Sequence, residues 1–219
     1  MRTVVTGAAG FVGSTLVDRL LSLGHHVIGI DNLKAGSLTN LDSAFRCSET
    51  GQGRFRLLTL DVQAPELIGV IAGVNPSVIF HLAAHVDSRA AVDDPLLDAR
   101  TNILGTINLC EACRFADVRR IVYTTTAGNV EFPASPHDVA KLAGEMYLRS
   151  YADRYGLTPI CLAFGSVYGP RQNIGAAADV VAPIGAPPMA DLVSVDDVVE
   201  ALVHAGCAAD VAPDFGMAV

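Results

Sequence analysis

The feature that most constrains the fold is a turn with three glycines spaced three residues apart, Gly7, Gly10 and Gly13. It follows a strand-like run at residues 3–6 and opens an amphipathic helical pattern over 12–23. Gly7 permits a tight turn, Gly10 lets the backbone approach a ligand, and Gly13 lets the helix pack against the strand. The segment therefore predicts a strand–turn–helix unit whose free N–H groups bind an anion such as a pyrophosphate.

An acidic residue stands where the adenosine end of a dinucleotide would lie. Asp31 comes eighteen residues after Gly13, at the end of a second apolar run over 27–30. A carboxylate at this place accepts hydrogen bonds from the ribose hydroxyls and repels a 2′-phosphate. The glycine turn and Asp31 together predict NAD, and not NADP, as the cofactor.

Strand-like and helix-like segments continue to alternate along the chain. The composition is 51% hydrophobic and only 17% charged, which suits a parallel sheet buried on both faces. We therefore predict an α/β fold, a Rossmann-type doubly wound parallel sheet with a truncated C-terminal substrate lobe. The further strand-like runs lie at 55–60, 78–80, 121–123 and 159–164, and the helix-like runs at 64–73, 94–116 and 138–155.

The amino-acid composition of the sequence changes after Tyr168. Residues 169–190 are rich in Gly, Pro and Ala, which is typical of loops. A strand-like run at 192–195 and a helical pattern at 196–205 follow, and the tail at 213–216 has no clear element. We expect an NAD-binding Rossmann domain at 1–168 and a vestigial substrate-binding lobe at 169–219 that returns to the main domain.

Charge, hydropathy and cysteine usage exclude several classes of protein. The formal net charge of −8 leaves no basic footprint for a nucleic acid, and no apolar stretch is long enough to span a membrane. Five scattered cysteines and no signal-peptide pattern predict a cytoplasmic location. Cys110 and Cys113 lie in an apolar helical pattern and are expected to be core residues, so no metal site is predicted.

Several further motifs, in the right order, resemble the extended short-chain dehydrogenase/reductase family, in its NAD-dependent epimerase/dehydratase branch. Within that family the chain is most similar to UDP-hexose 4-epimerases, and it lacks the Thr-Asp-Glu signature of 4,6-dehydratases after the fifth strand. The segments that carry the resemblance, besides the glycine turn, are Leu60-Asp61-Val62, His81-Leu82-Ala83-Ala84, Asn102 to Thr106, Tyr123 to Gly128, Ser135 to Glu145, Val167 to Gln172 and Val195 to Val198.

The resemblance implies a set of cofactor contacts and a partner. Asp61 would contact the adenine, the loop after the fourth strand would pass the nicotinamide half, and Lys141 would hold the nicotinamide ribose. The family commonly forms homodimers through the helices that correspond to 94–116 and 138–155, with Met146, Leu148 and Tyr151 as apolar positions here. The full set of expected NAD contacts is Gly7, Gly10, Phe11, Val12, Gly13, Asp31, Asn32, Asp61, Val62, Leu82, Ala83, Ala84, Asn102, Thr124, Lys141 and Phe164.

The catalytic position departs from the family pattern. In the family, a tyrosine four residues before the lysine takes a hydroxyl proton while hydride moves to NAD; here that position holds His137, and Lys141 is kept. A neutral imidazole accepts a proton near pH 7, although a nearby ammonium lowers its basicity. Two interpretations stay open: His137 is the acid/base group, with Thr126 orienting the substrate hydroxyl, or His137 is a polar substitution in a decayed site.

The substrate side departs as well. Ser166 stands where the family usually has Asn, and Ala190 where it usually has Arg. Thr126 and His137 are only 11 residues apart, and Gln172 and Asp196 only 24, whereas the family has long segments in both places. Because these missing groups would clamp a nucleotide diphosphate, we expect weak binding of a sugar nucleotide.

Three polar residues near the expected site have two interpretations. His85, Glu131 and His137 would form a cluster suited to general acid/base chemistry, or they are unrelated surface residues, which is the interpretation we favour. Arg171 is similarly either an anion contact or a residue that stabilises its own loop.

Taken together, these features predict an NAD-dependent epimerase or oxidoreductase with an altered catalytic site. Its substrate would be a small hydroxylated or keto molecule, and it would no longer be a standard nucleotide-sugar epimerase. Two alternatives remain open: a non-redox isomerase or cyclase on the same fold, and a non-catalytic NAD-binding protein that stabilises a partner.

Overall fold

The computed structural model describes residues 1–51, 53–85, 88–126, 135–172, 192–207 and 214–218. In this part of the chain one seven-stranded parallel sheet has the order β3-β2-β1-β4-β5-β6-β9, and a separate parallel pair joins β7 to β8. The strands are β1 (Arg2–Thr6), β2 (His26–Asp31), β3 (Arg54–Thr59), β4 (Val78–His81), β5 (Arg120–Thr126), β6 (Thr158–Phe164), β7 (Ser166–Tyr168), β8 (Leu192–Ser194) and β9 (Asp214–Ala218).

Helices cover the sheet on both sides. A 3₁₀ turn (Leu38–Leu41) precedes the second helix, and a π-helical turn (Arg100–Leu104) joins the fifth helix to the sixth. The helices are α1 (Phe11–Ser22), α2 (Asp42–Glu49), α3 (Glu66–Val74), α4 (Ser88–Asp93), α5 (Pro95–Ala99), α6 (Gly105–Ala116), α7 (Pro136–Tyr155) and α8 (Val195–Cys207).

The hydrophobic core consists of two clusters, because successive side chains of a strand point to opposite faces of the sheet. Val5 and Phe80 pack with residues of α1 and α8 in one cluster. Their neighbours Val4 and Ile79 pack with residues of α3 and α6 in the other. Burial on both faces explains the nearly continuous apolar runs of the strands.

The predicted doubly wound parallel sheet is confirmed: its first six strands have the order 3-2-1-4-5-6, and β9 is added at the edge beside β6. The chain reverses its direction of winding between β1 and β4. Open α/β sheets bind their ligands at the carboxyl edge of the sheet, in the crevice at such a switch point. This edge is where the fold positions a ligand.

In the described part of the C-terminal region, α8 packs against α1 and β9 extends the sheet beside β6. The expectation that the tail lacks an element is wrong. Asp214 pairs with Ile160 of β6, a distant partner that the local sequence does not indicate. The boundary between 168 and 169 stays a prediction.

The interpretation of Cys110 and Cys113 as core residues is confirmed, because both are fully buried free thiols. The helices over 38–49 were not predicted. No helix among the described residues is long and apolar enough to cross a membrane.

Candidate cofactor cleft and acid/base site

The glycine turn is tight enough to require glycine at two positions. Gly7 has a φ of +71°, and a Cβ there would lie 2.8 Å from the Ala83 nitrogen. A Cβ on Gly13 would lie 2.0 Å from the Gly7 oxygen. Helix α1 begins after Gly10 with no side-chain cap and no acidic residue in its first turn. Its first N–H groups are therefore free to bind an anion.

Asp31 is fixed beside this turn by two backbone hydrogen bonds. The Ala9 N–H donates to Oδ2 at 2.9 Å, and the Leu33 N–H donates to Oδ1 at 2.8 Å. An ionised carboxylate accepts about four hydrogen bonds, so about two acceptor positions remain. The geometry fits the two hydroxyls of an adenosine ribose.

The segment after β2, at residues 36–40, packs on the glycine turn and hydrogen-bonds to it. The sequence analysis did not predict this contact. The carbonyl oxygen of Ala9 accepts hydrogen bonds from Asn40 Nδ2 at 2.9 Å and from the Ser37 nitrogen at 3.0 Å. A Cβ on Gly36 would lie 2.8 Å from the Ala9 Cβ, so the segment passes close to the turn. The signal available in the sequence was a glycine five residues, and an asparagine nine residues, after the end of β2.

Asp61 and Asn32 meet at the expected adenine end of the cleft. Asn32 Nδ2 donates to Asp61 Oδ2 at 2.8 Å, and the Gln63 N–H donates to Oδ1 at 3.0 Å. Burial alone raises the pKa of Asp61, but these hydrogen bonds and the charge of Lys34 lower it below its ordinary value. Asp61 is therefore an ionised acceptor at neutral pH.

A directional chain of hydrogen bonds crosses the sheet beneath the cleft. The Ala83 N–H donates to the Thr6 hydroxyl at 3.1 Å, and that oxygen lies 2.7 Å from His81 Nδ1. His81 Nε2 lies 3.1 Å from the Thr106 hydroxyl, which donates to the Asn102 carbonyl at 2.7 Å. Because the Thr106 hydroxyl donates its hydrogen to Asn102, it must accept a hydrogen bond from His81 Nε2–H. The other ring nitrogen, Nδ1, therefore carries no hydrogen and accepts a hydrogen bond from the Thr6 hydroxyl. Burial lowers the pKa of His81 to about 3, so this imidazole is a neutral connector.

His137 is buried in the first turn of α7, with only 8% of its surface exposed. Its Nδ1 lies 3.4 Å from Asp98 Oδ1 and 3.3 Å from Asn102 Nδ2. Burial, and secondarily the charge of Lys141, lower the pKa of His137, while Asp98 opposes the shift. The imidazole is therefore neutral at pH 7, as an acceptor of protons must be.

Asn102 joins this histidine to the loop after β4. It lies in the π-helical turn, a rare conformation that is frequent at functional sites. Its Oδ1 accepts from the His85 N–H at 2.9 Å, and its Nδ2 donates to the His85 carbonyl at 3.1 Å and to Asp98 Oδ1 at 2.8 Å. The amide hydrogens of Asn102 are thus used within the chain, and the predicted contact of Asn102 with NAD stays a prediction.

Asp98 is the functional candidate that the sequence analysis missed. It is 1% exposed, and its Oδ1 also lies 3.5 Å from His85 Nδ1. The expectation that His85, Glu131 and His137 are unrelated surface residues is therefore wrong for the two histidines, since one buried carboxylate brings them together. Glu131 lies outside the described residues. The available signal was the spacing of four between Asp98 and Asn102, which places both on one helix face.

Lys141 follows His137 by one helical turn and is also buried. Its Nζ lies 4.1 Å from the centre of the Tyr123 ring on β5, an attractive cation–π geometry. Burial lowers the pKa of Lys141 to about 8. Thr126 lies at the end of β5 opposite Phe164, and its side chain is outside the described part of the chain.

Most of the predicted NAD contacts lie along one edge of the sheet. The carboxyl ends of successive strands bring together residues that are far apart in the sequence. The turn with Gly7, Gly10, Phe11, Val12 and Gly13 follows β1, Asp31 and Asn32 end β2, Asp61 and Val62 follow β3, Leu82, Ala83 and Ala84 follow β4, and Thr124 and Phe164 lie in the last halves of β5 and β6. Their contacts with the cofactor stay predictions.

Two other expectations are settled by contacts within the chain. Arg171 forms an ion pair with Asp18 of α1 at 2.6 Å, so it stabilises its own loop. Leu148, expected on a dimer face, is fully buried in the core, whereas Met146 is 63% exposed.

Comparison with known proteins gives a consistent picture. The family model described as NAD dependent epimerase/dehydratase matches residues 3–214. The UDP-glucose 4-epimerase of Mycolicibacterium smegmatis is 42% identical over 234 residues, covering 94% of this chain and 73% of that protein. A putative UDP-glucose 4-epimerase of Methanocaldococcus jannaschii is 31% identical, covering 81% of this chain and 60% of its own length.

A solved structure is similar throughout the fold. The Thermus thermophilus UDP-glucose 4-epimerase, determined in complex with NAD, has a TM-score of 0.77 and 32% identity, covering 93% of this chain and 74% of that one. The chain thus spans between 60% and 74% of the length of these three proteins. The alignment over 234 residues with the M. smegmatis protein exceeds the 219 residues of this chain, so it includes positions that this chain lacks.

Proposed function

This chain belongs to the NAD-dependent epimerase/dehydratase family, and on that premise we propose that it oxidises a hydroxyl group of a small substrate, with His137 as the proton acceptor. The resemblance to the extended short-chain dehydrogenase/reductases is confirmed, and the cofactor is NAD. The base, the substrate and the assembly are proposals.

The residues of the cleft fit NAD. The free N–H groups at the start of α1 suit the pyrophosphate, and Gly7, Gly10 and Gly13 carry no side chain that could keep it from the backbone. Asp31 keeps acceptor positions for the ribose hydroxyls, and its negative charge disfavours a 2′-phosphate. NAD bound in this cleft supplies the acceptor for hydride from the substrate carbon.

The observation that carries the proposal is the placement of His137. It is buried, neutral and one helical turn before Lys141, and its Nδ1 lies against the Asp98 carboxylate. His137 Nε2 then takes the hydroxyl proton as the carbon loses hydride, and the substrate becomes a carbonyl compound. The positive charge formed on the imidazole is opposed by Lys141 and stabilised by Asp98, which is adjacent to the ring.

The substrate is proposed to be a small hydroxylated or keto compound and not a sugar nucleotide. Arg171, the candidate to bind a diphosphate among the described residues of its loop, is already paired with Asp18. Ser166 is a short hydroxyl side chain where the family usually has an amide. Fewer groups therefore remain to bind a dianion with the paired hydrogen bonds that arginine provides.

We also propose a homodimer formed through the outer faces of α5, the π-helical turn, α6 and α7. These faces expose large apolar side chains that a second copy would cover. They are Leu96, Leu104, Phe115, Met146 and Tyr155. Light scattering coupled to size-exclusion chromatography tests this, and a monomer at micromolar concentration contradicts it.

The test of function compares substrates and one pair of variants. The NAD-loaded protein is mixed with UDP-glucose, UDP-glucuronate and free hexoses and polyols, and absorbance at about 340 nm is followed in single turnover. His137→Gln keeps a hydrogen-bond donor toward Asp98 but removes the base. His204→Gln, at an exposed position of α8, is the control.

We expect absorbance to rise with a free hydroxylated compound, and His137→Gln to lower the rate by about 10²-fold or more, the usual contribution of a general base. An unchanged rate in His137→Gln overturns the role of His137. Reaction with UDP-glucose but with none of the free compounds overturns the proposed substrate class. Product formed without any nicotinamide reduction favours the non-redox alternative.

A further inference from the structure

A buried carboxylate outside the family's catalytic motifs contacts both histidines of the site. Asp98 lies on α5, and its side chain is 1% exposed. Its Oδ1 accepts a hydrogen bond from Asn102 Nδ2 and lies within 3.5 Å of the Nδ1 atoms of His85 and His137. Its Oδ2 is also buried and has no hydrogen-bond partner among the described residues.

This arrangement is costly for folding alone. A buried carboxylate with one oxygen unpaired loses hydration that its contacts replace only in part. A buried polar group of this kind calls for an explanation, and in a site it is frequently a functional one. The position of Asp98 against the imidazole of His137 provides that explanation.

The hydrogens of Asn102 decide which nitrogen of His137 carries the proton. The amide has two N–H hydrogens, and they are donated to Asp98 Oδ1 and to the His85 carbonyl. None remains for His137 Nδ1, so Nδ1 does not act as an acceptor toward Asn102. A proton on Nδ1 lets it donate to Asp98 Oδ1, 3.4 Å away. In the neutral ring, the lone pair is then on Nε2.

We propose that Asp98 is the positioning residue of this site: it holds His137 in the tautomer with Nδ1–H, so that Nε2 is the proton acceptor. This inference rests on the proposed function of His137, which it deepens. His137 stands at the position of the family's tyrosine, and together with Asp98 it forms a carboxylate–imidazole pair. The carboxylate stabilises the imidazolium that forms when His137 takes a proton. Asp98 itself touches neither substrate nor cofactor in this account.

The pair also sets the pH at which the site works. Among the described residues, the charged groups that act on His137 are Asp98 from α5 and Asp138 and Lys141 from α7. His85, from the loop after β4, lies against the same Asp98 oxygen. The two carboxylates favour the imidazolium, and Lys141 disfavours it. Removal of the Asp98 charge therefore lowers the pKa of His137 further, and the acidic limb of the rate profile moves to lower pH.

The test reads the tautomer directly. Long-range ¹H–¹⁵N NMR of protein labelled with ¹⁵N-histidine and loaded with NAD distinguishes Nδ1–H from Nε2–H, and His137→Gln assigns the signals. Asp98→Leu is the informative variant, because leucine has a similar size but accepts no hydrogen bond. The Asn102 hydrogen that Asp98 Oδ1 accepts is then free to donate to His137 Nδ1, 3.3 Å away, and this favours the other tautomer. Asp94→Asn is the matched control: Asp94 caps α5 through Leu97, and asparagine caps equally well.

We expect Nδ1–H in the wild type and in Asp94→Asn, and Nε2–H in Asp98→Leu, with turnover lowered by about 10³-fold or more in that variant. Nε2–H in the wild type, or an unchanged tautomer in Asp98→Leu, overturns the proposal. If Asp98→Leu does not fold, the wild-type tautomer alone decides. The predicted tautomers without any hydride transfer would support the role of Asp98 and contradict the proposed function instead.

Discussion

Replacing Gly13 with alanine should abolish tight NAD binding, because the new methyl group has no room. Its Cβ would lie 2.0 Å from the Gly7 oxygen and 2.8 Å from the Gly7 carbonyl carbon. An ordinary C···O contact is about 3.3 Å or longer, so α1 and the turn must separate by about 1.3 Å. Overpacking of this kind costs about 1–3 kcal/mol of stability.

The same displacement takes the N–H groups of the turn away from the pyrophosphate. Hydrogen bonds to a charged group contribute about 1.5–3 kcal/mol each, and about 1.4 kcal/mol is a tenfold change in affinity. Gly13→Ala should therefore raise the Kd for NAD at least about tenfold, measured by isothermal titration calorimetry. Gly69→Ala is the matched control, since nothing lies within 4 Å of a Cβ at that site in α3.

The control should bind NAD normally and gain about 0.5–1 kcal/mol in stability, as alanine replaces a helical glycine. If Gly13→Ala binds NAD as tightly as Gly69→Ala, the turn between Gly7 and Gly13 is not the pyrophosphate site. Thermal unfolding of both variants separates loss of binding from loss of the fold.

Three further predictions concern specificity and stability. Asp31→Ser should narrow the preference for NAD over NADP in the same calorimetric assay, because it removes the charge that repels a 2′-phosphate; an unchanged ratio of Kd values would contradict this. Because burial lowers the folded-state pKa of His81 to about 3, the unfolded chain binds the extra proton below its ordinary pKa. The free energy of unfolding should thus fall by about 1.4 kcal/mol per pH unit as the pH drops below about 6.5 toward 3. Urea titrations at several pH values measure this, and a free energy of unfolding that does not change with pH would show that His81 is not neutral in the fold. Leu148→Ala should cost about 2–5 kcal/mol and Met146→Ala less than about 0.5 kcal/mol, and equal losses would contradict the burial assigned to Leu148.

The elements of the sheet could be predicted because their signals are local. The apolar run at 3–6, the glycine turn and the run at 27–30 each carry their own pattern, and strand–helix alternation then leaves few topologies. Strand β9 had no such signal, since its pairing with β6 comes from a part of the chain more than fifty residues earlier. Long-range pairing of this kind is decided by the sheet that is already present.

Site residues could be predicted from the sequence only where they lie directly after the end of a strand. Asp31 and Leu82 lie at the carboxyl edge because β2 and β4 end there. Asp98 could not be found in this way: its sequence pattern is that of an ordinary helix, and its burial results from the packing of α5 on α7. The pairing of His137 with His85 through Asp98 likewise exists only once these helices pack against the loop after β4.

We expect a crystal structure with NAD bound to show the pyrophosphate at the start of α1 and the adenosine ribose on Asp31. The nicotinamide should lie on the side of the cleft to which His137 Nε2 is open, while Nδ1 faces Asp98. A nicotinamide ring remote from His137, or an Nε2 atom closed off by a hydrogen bond within the chain, would contradict it.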